Sequence, residues 1–283
     1  MPVDLHIHTT ASDGTESPER VVEQARAAGL QAIAVTDHDT LAGCAPAIAA
    51  GSRCGLEVIP GMELGAFHGG KEIHILGYLV DLDDGELLNK LSFLQEGRKN
   101  RMKKMVEKLQ QLGYDLDVAR VYAASGGGAV GRPHLAAALV ETGAVETSAE
   151  AFQTLIGKGC PAYIPRYKLS PLEAIQMIRK AGGVPVLAHP GLDGAGALIG
   201  ELAKGGLMGV EAFHPAHTPV QAAYYERLAK KEGLLVTGGS DYHGRGRKPD
   251  CYLGAATAPY PVLTEMKKRR VALSNFKGRR LNK

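Results

Sequence analysis

The chain has no tryptophan, only five phenylalanines, and no apolar run near the roughly 20 residues that cross a bilayer. A membrane-spanning helix is therefore not expected. Its four cysteines (Cys44, Cys54, Cys160 and Cys251) are scattered and form no CxxC pair. That argues against a disulfide frame and fits reduced thiols in a cytoplasm. No basic leader followed by an apolar stretch stands at Met1-Pro2-Val3-Asp4, so secretion is not expected either. With 45% hydrophobic side chains the chain is too apolar for a disordered one, and it can bury a core without staples.

Net charge is also small, at +3, but it is unevenly placed. Between Glu265 and Lys283 lie eight basic residues and one acidic; the rest of the chain holds 25 basic against 29 acidic, a net −4. A basic end on an acidic body either attracts polyanions such as RNA or forms a solvated face. Nothing in the sequence calls for an obligatory protein partner.

Short β-branched runs alternate with amphipathic stretches. Strands are expected at Val3–His8, Gln31–Thr36, Leu56–Pro60, Ile73–Val80, Val184–Ala188, Gly209–Phe213 and Leu234–Thr237. Helices are expected between most of them, for example Ser17–Ala28 and Ser170–Ala181, each opened by a Ser-Pro pair. Seven strands joined largely by helices point to an α/β fold with a parallel sheet or barrel. From about Gly97 to Pro165 the pattern is mostly helical and too long for an ordinary connection. It reads as a small helical subdomain over 97–165, inserted into a body made of 1–96 and 166–283.

The histidines carry the chemical signal. In Val3-Asp4-Leu5-His6-Ile7-His8 the alternation puts both imidazoles on one face of a strand and Val3, Leu5 and Ile7 on the other. Asp13 follows five residues on. Later strands end in Thr36-Asp37-His38-Asp39, Gly61-Met62-Glu63, Ala188-His189-Pro190 and Gly239-Ser240-Asp241-Tyr242-His243, and another contains His74. Strand C-termini of such folds converge on one mouth. A His or carboxylate delivered there by nearly every strand is a metal site. A cluster this rich in imidazole favours Mn, Zn or Fe over Mg or Ca. Asp37 and Asp39 flank His38 and either orient imidazoles or, for Asp39, cap the following helix.

In the same order, HxH…D, TDHD, GxE, an internal His, AHP and SDxH resemble the PHP (polymerase and histidinol phosphatase) superfamily of metal-dependent phosphoesterases, over nearly the whole chain. The resemblance implies a distorted seven-stranded (β/α) barrel with a trinuclear centre, most readily of Mn2+, with Zn2+, Fe2+ or Mg2+ as alternatives. One ion would take His6, His8, Glu63 and Asp241, a second Asp13, His38 and His243, and a third His74 and His189 with Glu63 bridging. Three such ions against the three carboxylates Asp13, Glu63 and Asp241 would leave about +3, which suits a phosphate ester, and a hydroxide bridging the ions is the expected attacking group. The segment Gly131-Arg132-Pro133-His134 within the insertion resembles one subgroup, the nucleoside 3′,5′-bisphosphate phosphatases and 5′→3′ exoribonucleases. There Arg132 and His134 would reach over the mouth to substrate phosphate, beside Asp13, His38 and His243 as the catalytic set. From the residues alone, Arg132 and His134 equally describe a helix start. His217, with His214 beside it, is a candidate substrate contact; His68 reads as an exposed turn. Tyr242 either packs or stacks on a base, and Arg245, Arg247 and Lys248 either extend a phosphate rim or form a solvated loop.

The expected substrate is a small nucleotide phosphate or short 5′-phosphorylated RNA. Alternatives are a histidinol-phosphate phosphatase, which the GRPH-bearing insertion argues against, and a non-catalytic PHP module, which the complete ligand set argues against.

Overall fold

A computed structural model describes residues 2–125, 128–165, 167, 169–245 and 251–281. Strands β1 (Pro2–Ile7), β2 (Ala32–Val35), β3 (Glu57–His68), β4 (Lys71–Tyr78), β5 (Val184–Leu187), β6 (Gly209–Phe213) and β7 (Leu235–Gly238) lie where the β-branched runs place them. A two-residue strand, β8 (Ala258–Pro259), adds to β1, giving one eight-stranded sheet in the order β7-β6-β5-β4-β3-β2-β1-β8. The sheet curls back on itself: Ile7 bridges Tyr242, and the His8 N–H donates to the Tyr242 carbonyl at 2.8 Å. Gly239 permits this near-closure, because a side chain there would collide with the backbone and Cβ of His6.

The barrel is mixed rather than parallel. β4 runs antiparallel to both β3 and β5. The cause is local: His68 and Lys71 pair across Gly69-Gly70, both with positive φ, the two-residue turn that makes a hairpin. β3 also continues through Gly61-Met62-Glu63 to His68, well past Pro60.

Helices α1 (Pro18–Ala27), α2 (Cys44–Cys54), α7 (Pro171–Lys180), α8 (Pro190–Asp193), α9 (Ile199–Lys204) and α10 (Pro219–Lys231) surround the barrel. Ser17, Ser170 and Thr218 cap α1, α7 and α10 by accepting a bond from the N3 amide. Two cores result. Val3, Leu5, Ala34, Val186 and Leu235 fill the inside, closed at the strand N-termini by Val262, Leu263 and Met266 of α11 (Pro261–Leu281). Ile7, Ile33, Val35 and Leu187 pack with the surrounding helices. Ile7 thus leaves the company of Val3 and Leu5, because the β1–β2 register shifts between Asp4 and Ile7 and breaks the strict alternation.

Helices α3 (Gly85–Gln111), α4 (Val118–Ala124), α5 (Arg132–Glu141) and α6 (Ser148–Ala151), continued by a π-helical turn over Phe152–Ile156, share a third core running from Met102 to Ala162. Residue 97 falls inside α3, one unbroken helix that begins at Gly85, so the change from barrel to helical segment occurs without a linker there.

Candidate metal centre

Nine side chains meet at the C-terminal ends of β1, β2, β5 and β7 and on the inner stretches of β3 and β4. His6 comes from β1 and His8 directly follows it, Glu63 comes from β3 and His74 from β4. Asp13, His38, His189, Asp241 and His243 come from the loops that follow strands. Glu63 sits among them. Its Oε2 lies 3.4 Å from His6 Nε2, 3.3 Å from His8 Nε2 and 3.0 Å from His38 Nδ1; its Oε1 lies 2.7 Å from His74 Nδ1 and 3.2 Å from His189 Nε2. Asp241 Oδ1 is 3.5, 3.4 and 3.5 Å from His6, His8 and His243. Asp13 Oδ1 is 3.8, 3.9 and 3.4 Å from His8, His38 and His243.

The donor atoms fall into three groups that fit single ions: His8, Asp13, His38 and His243; His6, His8 and Asp241; and Glu63, His74 and His189. His8 belongs to two of them, facing Asp13 with Nδ1 and Asp241 with Nε2.

These contacts suit cations better than hydrogen bonds. His6 and His8 point their Nε2 atoms at each other, 3.2 Å apart. The Nδ1 atoms of His38 and His74 lie close to Glu63 but without hydrogen-bond geometry, and both are buried. Burial opposes charge on His8 and His74, but the facing carboxylates outweigh it. Bonds to Asp241 and Glu63 raise His8 to about 9, and the charge of Glu63 raises His74 to about 10. Burial likewise opposes ionisation of Asp13, Glu63 and Asp241, yet the surrounding imidazoles hold all three well below the usual carboxylate range. A cage that draws protons this strongly draws metal cations for the same reason.

Backbone strain coincides with the site. Asp39, His189 and Asp241 have φ of 53°, 23° and 52°, a region non-glycine residues rarely occupy.

Several supporting residues carry no motif. Glu211, buried on β6, accepts from His6 Nδ1 at 3.1 Å and from the His189 N–H at 2.9 Å. The first bond leaves the His6 Nε2 lone pair facing the cavity. Asp4 accepts from the N–H groups of Ser240 and Gly254 at 2.9 and 2.8 Å, tying β1 to the segment bearing Asp241; burial pushes its carboxyl up to about 6. The only signal for either was a charge inside an otherwise apolar strand. Arg98 and Arg101 of α3 are a third omission. With Gly131, Arg132, Pro133 and Phe152 they line a recess of about 160 Å3 that shares Asp13, His38 and His74 with the main cavity of about 640 Å3.

Arg132 thus joins the site. Its Nη2 is 3.6 Å from Glu72 Oε2, and its guanidinium stands 5.5 Å over the Phe152 ring. His134 is not among the lining residues; it is buried, and its Nδ1 accepts from the Gly131 N–H at 3.0 Å, holding the start of α5. His217 differs from expectation. Its Nδ1 donates to the Ala212 carbonyl at 2.9 Å and its Nε2 accepts from the Gly191 N–H at 3.0 Å, so both nitrogens serve the fold and none is left for substrate. Asp37 binds Thr9 and Ser12 at 2.6–2.7 Å and so holds the loop carrying Asp13, while Asp39 pairs with Arg98; neither orients an imidazole by a direct bond, and neither caps α2, whose N-cap is Gly43. Tyr242 packs in the outer core with its hydroxyl donating to Gln24. His68 is exposed, as is Arg245, whereas Arg247 and Lys248 lie outside the described residues.

Residues 4–103 match the model of the PHP domain family. The chain is 37% identical over 259 residues to the phosphoribosyl 1,2-cyclic phosphate 1,2-diphosphodiesterase of Eggerthella lenta, covering 88% of this chain and 97% of that protein. It is 34% identical to the 5′-3′ exoribonuclease Rnm of Escherichia coli (85% and 84% covered) and 31% identical to the 3′,5′-nucleoside bisphosphate phosphatase of Chromobacterium violaceum (86% and 88%). Among solved structures, a protein of Bifidobacterium adolescentis assigned as a metal-dependent phosphoesterase superposes with a TM-score of 0.87 at 35% identity, covering 94% of this chain and 96% of that one.

Proposed function

This chain belongs to the PHP family, and from that premise we propose that it is a metal-dependent phosphoesterase acting on nucleotide phosphates: the 3′-phosphate of nucleoside 3′,5′-bisphosphates, short 5′-phosphorylated RNA, or both. One observation carries this reading. The arginine recess, whose lining also holds Glu72, opens directly off the candidate metal cavity, and its three guanidiniums against that one carboxylate offer a second anion-binding place beside it. A substrate with one phosphate at the reacting centre and a second at Arg132 and its neighbours fits that layout.

His6, His8, Asp13, His38, Glu63, His74, His189, Asp241 and His243 would hold up to three divalent ions, with Mn2+ best matched to a mixed imidazole and carboxylate set and Zn2+, Fe2+ or Mg2+ as substitutes. When bound, such ions supply positive charge to the phosphoryl oxygens and a nucleophilic oxygen at neutral pH. The protein's own contributions are positional. Glu211 fixes the His6 tautomer, Asp37 holds the Asp13 loop, and Arg132 neutralises the phosphate that does not react. The helical segment over 97–165 walls the recess with Arg98, Arg101, Arg132, Pro133 and Phe152, which supports a substrate-capping role.

The test is a substrate panel with Mn-loaded protein: adenosine 3′,5′-bisphosphate, 5′- and 3′-monophosphates, ribose cyclic phosphates, short 5′-phosphorylated RNAs and histidinol phosphate. The bisphosphate should be preferred over either monophosphate by tenfold or more in kcat/KM. Folded, metal-loaded protein that turns over neither the bisphosphate nor RNA would overturn the proposal; turnover of another member of the panel would then name a different phosphoesterase, and turnover of none would leave a non-catalytic module.

A further inference from the structure

Away from the metal cavity, between α3 and α7, lies a pocket of about 190 Å3. Its wall is a pair of rings, Phe93 and Tyr167, meeting edge to face with centroids 5.3 Å apart. Both are more than half exposed, at 56% and 54%, in a chain where aromatics are scarce. Leu94, Leu169 and Met177 form the floor, and Gln176, Lys90 and Lys180 stand at the rim. The two carboxylates of the lining are occupied by the fold. Glu173 closes the capping box of α7 through the Ser170 N–H, and Glu86 pairs with Lys180 at 3.2 Å. An apolar floor, exposed rings, one amide and the Lys90 ammonium, with Lys180 shared with Glu86, form the chemistry that receives a nucleobase and its flanking phosphate.

This pocket connects with the site through one helix. Lys90, Phe93, Leu94, Arg98 and Arg101 follow one another along α3 at spacings of three or four residues, or one between Phe93 and Leu94, and so share a stripe of its surface. Phe93 lies about 7.5 Å and Lys90 about 12 Å along the axis from Arg98. Cations at one end of the stripe line the recess off the metal cavity, and the ring pair stands at the other.

We propose that the Phe93–Tyr167 pocket is a second nucleotide subsite, which holds a base of an RNA strand whose 5′ end occupies the metal cavity. The pocket shares no lining residue with the metal-ligand cavity or its arginine recess, so the subsite is assigned to a further nucleotide of the strand and not to the one held in the cavity. It rests on the phosphoesterase reading above and names within it the longer substrate.

The test compares wild-type protein with the double variant Phe93→Ala/Tyr167→Ala, both Mn-loaded, on adenosine 3′,5′-bisphosphate and on 5′-phosphorylated RNAs of two, four and eight nucleotides. Both rings are exposed, so the variant should fold. Wild type should show a lower KM for the longer RNAs than for the dinucleotide. In the variant that advantage should disappear, with KM for the tetranucleotide rising about tenfold, the effect of one lost base stack, and kcat within twofold. Bisphosphate turnover is the internal reference. A wild-type KM independent of length, or a variant whose RNA kinetics stay within twofold, would overturn the proposal. So would a variant with unchanged RNA kinetics and an altered oligomeric state, which would assign the rings to contacts between copies of this chain. If neither substrate class is hydrolysed, the phosphoesterase reading fails, while anisotropy of a 3′-labelled RNA octanucleotide with metal-free wild type and variant still reads the subsite: equal affinity would refute it.

Discussion

At His6 the Nδ1–H donates to Glu211, which leaves Nε2 with its lone pair toward the cavity. Glu211→Gln keeps the shape but removes the charge and one acceptor. Metal affinity should fall about 10- to 100-fold, measured by competition with a chromophoric chelator, with little change in circular dichroism. The ligands themselves predict a pH effect. In the metal-free protein His8 and His74 sit near 9 and 10, above their unfolded value of about 6.5. Their folded-state contribution is therefore complete below pH 6.5 and lost as pH rises through 9 to 10. Thermal scans of metal-free protein should show Tm falling between pH 7 and 10. Metal needs deprotonated imidazoles, so the Tm increment on adding Mn2+ should grow over the same range. A metal-free Tm flat across that window would contradict these assignments. Seven of the candidate ligands were legible in the sequence because they stand near or beyond a strand's C-terminal end, and Glu63 and His74, inside β3 and β4, because they complete the motif order; Glu211 and Asp4 stand inside buried strands and have no spacing partner to reveal them.

Among the elements, α3 does two jobs. Its Arg98 Nε donates to Asp39 Oδ2 at 2.5 Å, and its Met102, Met105, Val106 and Leu109 form the core of the helical segment. Asp39→Asn tolerates the positive φ while removing the charge, so it isolates the ion pair. Leaving the buried guanidinium without that carboxylate should destabilise the protein by about 3 kcal/mol, read from denaturant unfolding. The pairing directions show where sequence ran short. Apolar runs locate β3 and β4, but a run has no direction. That information lies in the Gly69-Gly70 turn, which makes β4 antiparallel and thereby turns His74 into the cavity. Arg98 escaped notice for a related reason: on a long polar helix, one arginine of several is indistinguishable until the packing shows which face is buried.

For the molecule as a whole, the basic C-terminal stretch proves to be partly structural. Met266 is buried under the barrel, Lys267 pairs with Glu57 at 2.5 Å, and Arg269 donates to the Met208 and Gly233 carbonyls. Lys267 and Lys268 are nonetheless exposed, and the side chains of Lys277, Arg279 and Arg280, together with Lys283, lie outside the described residues. Leu263→Ala should cost about 3 kcal/mol in denaturant unfolding. Because α11 closes the end of the barrel opposite the candidate metal centre, kcat per folded molecule should stay within twofold. The continuity of α3 has one more consequence, a mechanical one. The helix that anchors the helical segment is clamped to the residue beside His38, so any swing of that segment about a hinge in α3 would pull on a candidate metal ligand.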